Sequence, residues 1–188
     1  MIRLSKSSLS SAEKKAVLEV LDKEFLGMGD EAQEFEEALS KFFGRPAVCV
    51  NTGTAALHLA LQASGIGRGD EVLVQSLTYV ASFQAISATG ARPISCEIDA
   101  DTMCIDLMDA KSKITTNTKA IMPVHYSGGV GDLAGIFKLA DENNLTVIED
   151  AAHAFGTKYN EKRIGSFGDV TCFSFDGIKN ITSGEGGC

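Results

Sequence analysis

Over the first 45 positions apolar residues recur three and four apart. Beyond Pro46 they gather into short runs separated by longer amphipathic stretches. Residues 10–24 and 30–43 carry the helical spacing, with Gly27, Met28 and Gly29 as a break between them. After Pro46, AVCV (47–50), EVLVQ (71–75), PISCEI (93–98), AIMPVH (120–125), LTVIED (145–150) and VTCFSF (170–175) read as strands. ALHLALQA (56–63), VASFQAISA (80–88), LMDAKSKI (107–114) and LAGIFKLADEN (133–143) read as the helices between them. This alternation predicts an α/β fold with three layers, α/β/α, around a mostly parallel central sheet. Sheets of that kind bind ligands at the carboxyl ends of their strands, so polar residues there are the ones to weigh for chemistry.

Composition narrows the choice. A chain of 188 residues with 44% apolar and 22% charged residues suits one globular domain with a sizeable core. A net charge of -8 argues against a nucleic-acid or membrane-surface role, since either wants a basic face. The start, MIRLSKSSLSSAEKK, has no apolar leader-like core, and no run elsewhere approaches the length of a membrane span. The five cysteines, Cys49, Cys96, Cys104, Cys172 and Cys188, are odd in number and show no metal-ligand spacing. Several lie in apolar runs, which predicts buried free thiols in a reducing cytoplasm and no metal site.

The most informative stretch is Ser174–Gly187, SFDGIKNITSGEGG, which sets Lys179 between an apolar strand-like run and a loop of small residues. A lysine held still and partly desolvated there can condense with a carbonyl, although a lone loop lysine is more often a solvated one. Other strand ends supply companions. Asn51-Thr52-Gly53-Thr54-Ala55 opens a helix whose free N–H groups and dipole favour an anion, or serves only as a threonine cap. Tyr79 could stack on a planar ring or simply pack. Asp150, ending LTVIED, could hold a protonated pyridine nitrogen, which turns the ring into an electron sink, or could cap a helix or join an ion pair. His153 is ambiguous by itself, and Ser174 could donate to a phosphate or cap a turn. Together these supply a phosphate cup, a ring stack, a nitrogen partner and an amine at successive strand ends.

The segments MIRLSKSSLS, FEEALSKFFG, NTGTAALHLAL, GIGRGDEVLVQSLTYVAS, ARPISCEID, AIMPVHYSGG, VIEDAAHAFG, GSFGDVTCFSF and KNITSGEGG follow one another over nearly the whole chain. In them the chain resembles the amino-terminal large domain of the DegT/DnrJ/EryC1/StrS sugar aminotransferases, which depend on pyridoxal 5'-phosphate and share its fold type I. The resemblance implies that Lys179 is the catalytic lysine, carrying the cofactor as a Schiff base and shuttling the proton. It further implies that Asp150 pairs with the ring nitrogen, that His153 lies near the ring hydroxyl and that Tyr79 stacks over the ring. Thr54, Ala55 and Ser174 match its phosphate contacts, and His125 is left without a role. Some relatives carry histidine at the lysine position and dehydrate their sugars, a branch that Lys179 argues against. Asp176 departs from the histidine that many members have in this loop.

The reaction implied is a transamination in two halves, with pyridoxamine phosphate as the intermediate. An amino acid such as glutamate gives its nitrogen to a keto sugar, a 4-keto-6-deoxyhexose, on a nucleoside diphosphate. The product is an amino sugar for surface polysaccharide or a related glycan or antibiotic. The family also implies a homodimer with a shared active site. Residues 1–45 would be N-terminal helices and residues 46–188 the α/β cofactor domain. A small C-terminal domain would be missing, with Cys188 starting a final antiparallel strand and the 188-residue piece inactive alone. Two other readings stand beside this one. One is a nucleotide-binding Rossmann-like module built on Gly129, Gly131 and Gly135 with Glu149 and Asp150 downstream. The other is a catalytically silent relative.

Overall fold

A computed structural model describes residues 6–188; residues 1–5, the first half of the MIRLSKSSLS segment, lie outside the described residues. Helix α1 (Ser11–Asp22) starts where Ser10 Oγ accepts the Ala12 N–H at 3.0 Å and Glu13 accepts the Ser10 N–H at 2.6 Å. That reciprocal cap satisfies donors that a helix start leaves open. No residue of α1 is buried. Helix α2 (Asp30–Phe43) opens on Asp30 and Glu31, which suit its dipole, and ends at Gly44 in the left-handed conformation. It buries Leu39 and Phe43 against the body of the fold.

The remaining elements in chain order are α3 (Gly53–Ala63), β1 (Glu71–Gln75), α4 (Val80–Ala88), β2 (Arg92–Cys96), α5 (Leu107–Ser112) and β3 (Thr118–Met122). They are followed by α6 (Leu133–Asn143), β4 (Thr146–Asp150), a small hairpin of β5 (Lys158–Tyr159) and β6 (Lys162–Arg163), and β7 (Val170–Cys172). The main sheet runs β2-β1-β3-β4-β7, every neighbouring pair parallel. Side chains alternate faces along a strand, and the two cores follow that period. Val72, Val74, Ala120, Met122, Ile148 and Cys172 pack with α3 and α4. Leu73, Ile121, Val147 and, just past β7, Phe173 and Phe175 pack with α2, α5 and α6. The predicted three layers are therefore present, and β4 carries Asp150 on the α3/α4 side and Glu149 on the other.

Three features differ from the expectation. Residues 47–50 do not form a strand: the Ala47 and Cys49 N–H groups donate to Ser40 Oγ (2.9 Å) and Glu36 Oε1 (2.8 Å) of α2, so no ladder is available to them. Only Val50 pairs, antiparallel to Gly187, through bonds of 2.9 and 3.0 Å. Beyond Cys172 the run Phe173–Phe175 leaves the parallel ladder and pairs antiparallel with Gly186–Cys188, so that pairing begins two residues before Cys188. Finally, the β5–β6 hairpin turns through Asn160 and Glu161, both at positive φ (47° and 63°), in a polar stretch where no apolar alternation announces a strand.

Candidate active site

A cavity of about 610 Å³ opens at the carboxyl ends of β1, β3, β4 and β7, walled on one side by the start of α3. The strand-end rule thus locates it correctly. Thr54, Tyr79, Asp150, His153, Ser174 and Lys179 all line it. Ala55 does not.

The α3 end is built by Thr52, whose Oγ1 accepts the Ala55 N–H at 2.9 Å. This commits Ala55 to the cap. The first N–H groups of a helix have no partner inside it, and those of Gly53 and Thr54 form no hydrogen bond among the described residues. The Thr54 hydroxyl forms none there either. Across from them lies Ser174, nearly buried at 8% exposure. A Cβ on Gly53 would come within 2.8 Å of Ser174 Cβ. The glycine is needed so that the helix start and the end of the β7 run can close on each other, and their polar groups then share one concave wall.

Asp150 ends β4 at 4% exposure. Its Oδ2 accepts from Ser82 Oγ at 2.8 Å and its Oδ1 from the Ala152 N–H at 3.2 Å. No ion pair reaches it among the described residues. A buried carboxylate without a cation is costly, and each of its oxygens keeps an unused lone pair. A protonated ring nitrogen in the cavity fits that arrangement. Tyr79 precedes α4 at the mouth, 73% exposed, with its ring free of any aromatic partner among the described residues.

His153 sits on the rim, where its Nδ1 accepts the Ser127 N–H at 3.3 Å and its ring meets Tyr126 edge-on. Burial, and then the nearby Lys179 charge, hold its imidazole below the ordinary value, while the Asp150 charge pulls the other way. Lys179 is half-buried in the loop beyond Phe175, on the same cavity. Asp176 organises its approach: Oδ1 accepts the Ile178 N–H at 3.0 Å, and the Asp176 carbonyl accepts the Lys179 N–H at 3.0 Å. Thr182 Oγ1 and the Ser183 N–H tie the far side of the loop to the Phe175 carbonyl, each at 3.0 Å. Cys172 also lines the cavity, but burial pushes its thiol far up, so it stays protonated and inert.

His125 lies on the opposite face. Its Nε2 meets Glu149 Oε2 at 2.8 Å, both residues essentially without exposure, and Glu149 also accepts from Thr171 Oγ1 at 2.9 Å. The glycines at 129–135 make no nucleotide cradle. The N-terminus of α6 is capped by Asp132, whose Oδ1 accepts the Gly135 N–H at 2.9 Å, an anion where a phosphate would have to sit. A Cβ on Gly135 would strike Leu107 at 2.4 Å, so this glycine serves packing. Ser82 escaped the sequence reading, whereas the threonine cap that Thr52 makes was one of the two readings of that helix start. Ser82 had a signal, being a hydroxyl at 82 on the face of α4 that also buries Ala85 and Ile86.

The family model of the DegT/DnrJ/EryC1/StrS aminotransferases matches residues 7–188. The chain belongs to that family. Among curated members it is 48% identical over 182 residues to GDP-perosamine synthase of Escherichia coli O157:H7, covering 96% of this chain and 50% of that protein. It is 43% identical to the spore coat polysaccharide biosynthesis protein SpsC of Bacillus subtilis, covering 95% of this chain and 46% of the relative. Among solved members, the sugar aminotransferase CalS13 from Micromonospora echinospora superposes with a TM-score of 0.93 at 36% identity, covering all of this chain and 53% of that one. A Streptococcus pneumoniae protein described as a sugar aminotransferase, solved in PLP, PMP and apo forms, gives 0.95 at 34–35% identity, covering 99% of this chain and 51–52% of that one. The chain spans about half the length of the curated relatives it matches. Aminotransferases of the DegT/DnrJ/EryC1/StrS family depend on pyridoxal phosphate, and the chain has their three-layer fold.

Proposed function

We propose that the chain carries the cofactor-binding part, residues 46–188, of an aminotransferase that moves an amino group from an amino acid such as glutamate to a keto nucleotide sugar. The observation that carries this reading is Asp150, a buried carboxylate with no cation paired to it among the described residues, on the same cavity as Lys179. Pyridoxal 5'-phosphate, when bound, supplies an aldehyde and an electron-withdrawing ring. Lys179 Nζ would hold the aldehyde and, once displaced by the donor's amine, would be the free base positioned for the donor's Cα proton. Asp150 keeps the ring nitrogen protonated. Thr54, Ser174 and the free N–H groups at Gly53 and Thr54 bind the phosphate at the start of α3. Tyr79 covers the ring face from the mouth, and His153 orients the ring hydroxyl.

The nucleotide-sugar substrate, a 4-keto-6-deoxyhexose, is supported by the GDP-perosamine synthases among the relatives, and the SpsC name supports a polysaccharide product. Contacts to the sugar would come partly from the half of the relatives' length that this chain does not match, and partly from a second copy across a homodimer interface. Five free cysteines fit a reducing cytoplasm. Borohydride treatment of the full chain with pyridoxal 5'-phosphate should fix the label on the peptide containing Lys179, read by mass. Lys179→Ala should lose that label entirely. A label on another lysine, or none in the parent chain, overturns the proposal.

A further inference from the structure

The structure assigns Ser82 a positioning role: with Thr78 it forms a hydroxyl chain that aims the Asp150 carboxylate at the cavity. This rests on the proposal that the cavity holds pyridoxal 5'-phosphate. Ser82 has no exposure and Asp150 only 4%, so their 2.8 Å bond is made without water. Ser82 Oγ also lies 2.7 Å from Thr78 Oγ1. Ser82 has a single proton, and Asp150, when ionised, has none to give. Ser82 Oγ has the Tyr79 carbonyl at 3.4 Å as a longer alternative acceptor, and with its proton on the 2.8 Å bond to an ionised Asp150 Oδ2 the chain runs from Thr78 O–H to Ser82 Oγ. Hydrogen bonds in such a chain polarise one another, and the last is charge-assisted.

Geometry explains what the chain achieves. Asp150 sits at the end of β4, where its side chain is free to rotate unless both oxygens are held. The Ala152 N–H fixes Oδ1 and Ser82 fixes Oδ2, from two different elements. Ser82 also lies one turn after Tyr79 along α4. The same hydroxyl chain that orients the carboxylate therefore ties it to the helix whose start presents the aromatic ring. Ser82 itself does not line the cavity, so it acts through Asp150 and never touches the ligand.

The test compares pyridoxal 5'-phosphate with its 1-deaza analogue, in which carbon replaces the ring nitrogen, by absorbance titration of the full chain. Ser82→Ala should weaken the natural cofactor about tenfold, about 1.4 kcal/mol, while leaving the analogue within about twofold. Ser82→Thr, which keeps the hydroxyl, should restore affinity for the cofactor. Ser82→Cys keeps the volume with a weaker donor and should show the same selective loss to a smaller degree. Equal losses for both ligands mean a merely structural role and overturn the inference, as does unchanged cofactor affinity in both the alanine and cysteine variants. If the parent chain binds neither ligand, the cofactor proposal falls first and this one with it.

Discussion

His153 stands between an ammonium and a carboxylate at the rim of the cavity, and its position makes stability depend on pH. Its imidazole is held below the unfolded value of about 6.5 by burial and by Lys179. The unfolded chain therefore binds the proton first. The stability tied to a neutral His153 is fully present above about pH 6.5 and is lost as pH falls through the depressed folded value. His153→Gln should flatten the change in urea midpoint between about pH 7.5 and about pH 5.5 relative to the parent chain. Parallel profiles would sink the idea. Lys179, Asp150, Tyr79 and Ser174 were legible in the sequence because each interrupts or follows an apolar strand run at its carboxyl end. Ser82 was harder to see, since a hydroxyl looks alike whether it caps, bonds a buried acid or faces water. At the start of α3 the Ala55 N–H donates to Thr52, the cap that the sequence offered beside a phosphate contact at Ala55.

Helix α3 joins local structure to the site most directly, because its first turn is both a cap and a wall of the cavity. Thr52→Ala removes the side-chain acceptor of the Ala55 N–H and should cost about 0.5–2 kcal/mol in urea unfolding, with Thr52→Ser close to the parent. An alanine variant as stable as the parent would show that the cap contributes nothing. Helix boundaries were well read where apolar spacing and a stop coincide: α4 and α6 fall on the predicted residues. The run 47–50 misled because four apolar residues satisfy a strand pattern, yet their backbone donors find Ser40 and Glu36 instead of a neighbouring strand. Pairing partners are tertiary information, and short runs do not contain it.

At the scale of the molecule, α2 is joined to the sheet by aromatic packing. Phe43 stacks on Phe173 at 4.8 Å and meets Phe42 and Phe155 edge-on, while Phe35 lies 5.2 Å from Phe175. Phe173 and Phe175 flank Ser174, so this cluster also backs the cavity wall. Phe43→Ala should cost about 3–5 kcal/mol in unfolding free energy and leave the far β2 edge of the sheet unchanged in hydrogen exchange. A loss below about 1 kcal/mol would mean that α2 is not part of the same core. The layered α/β architecture, the parallel sheet and the place of the cavity at the strand ends followed from the sequence by itself, because strands buried on both faces read as short continuous apolar runs between helical stretches. Only the tertiary structure decided which hydroxyl holds Asp150, that His125 and Glu149 pair away from the cavity, and that Gly53 makes room for Ser174. Those outcomes depend on which elements become neighbours, and that choice is made by packing across layers that are far apart in the chain.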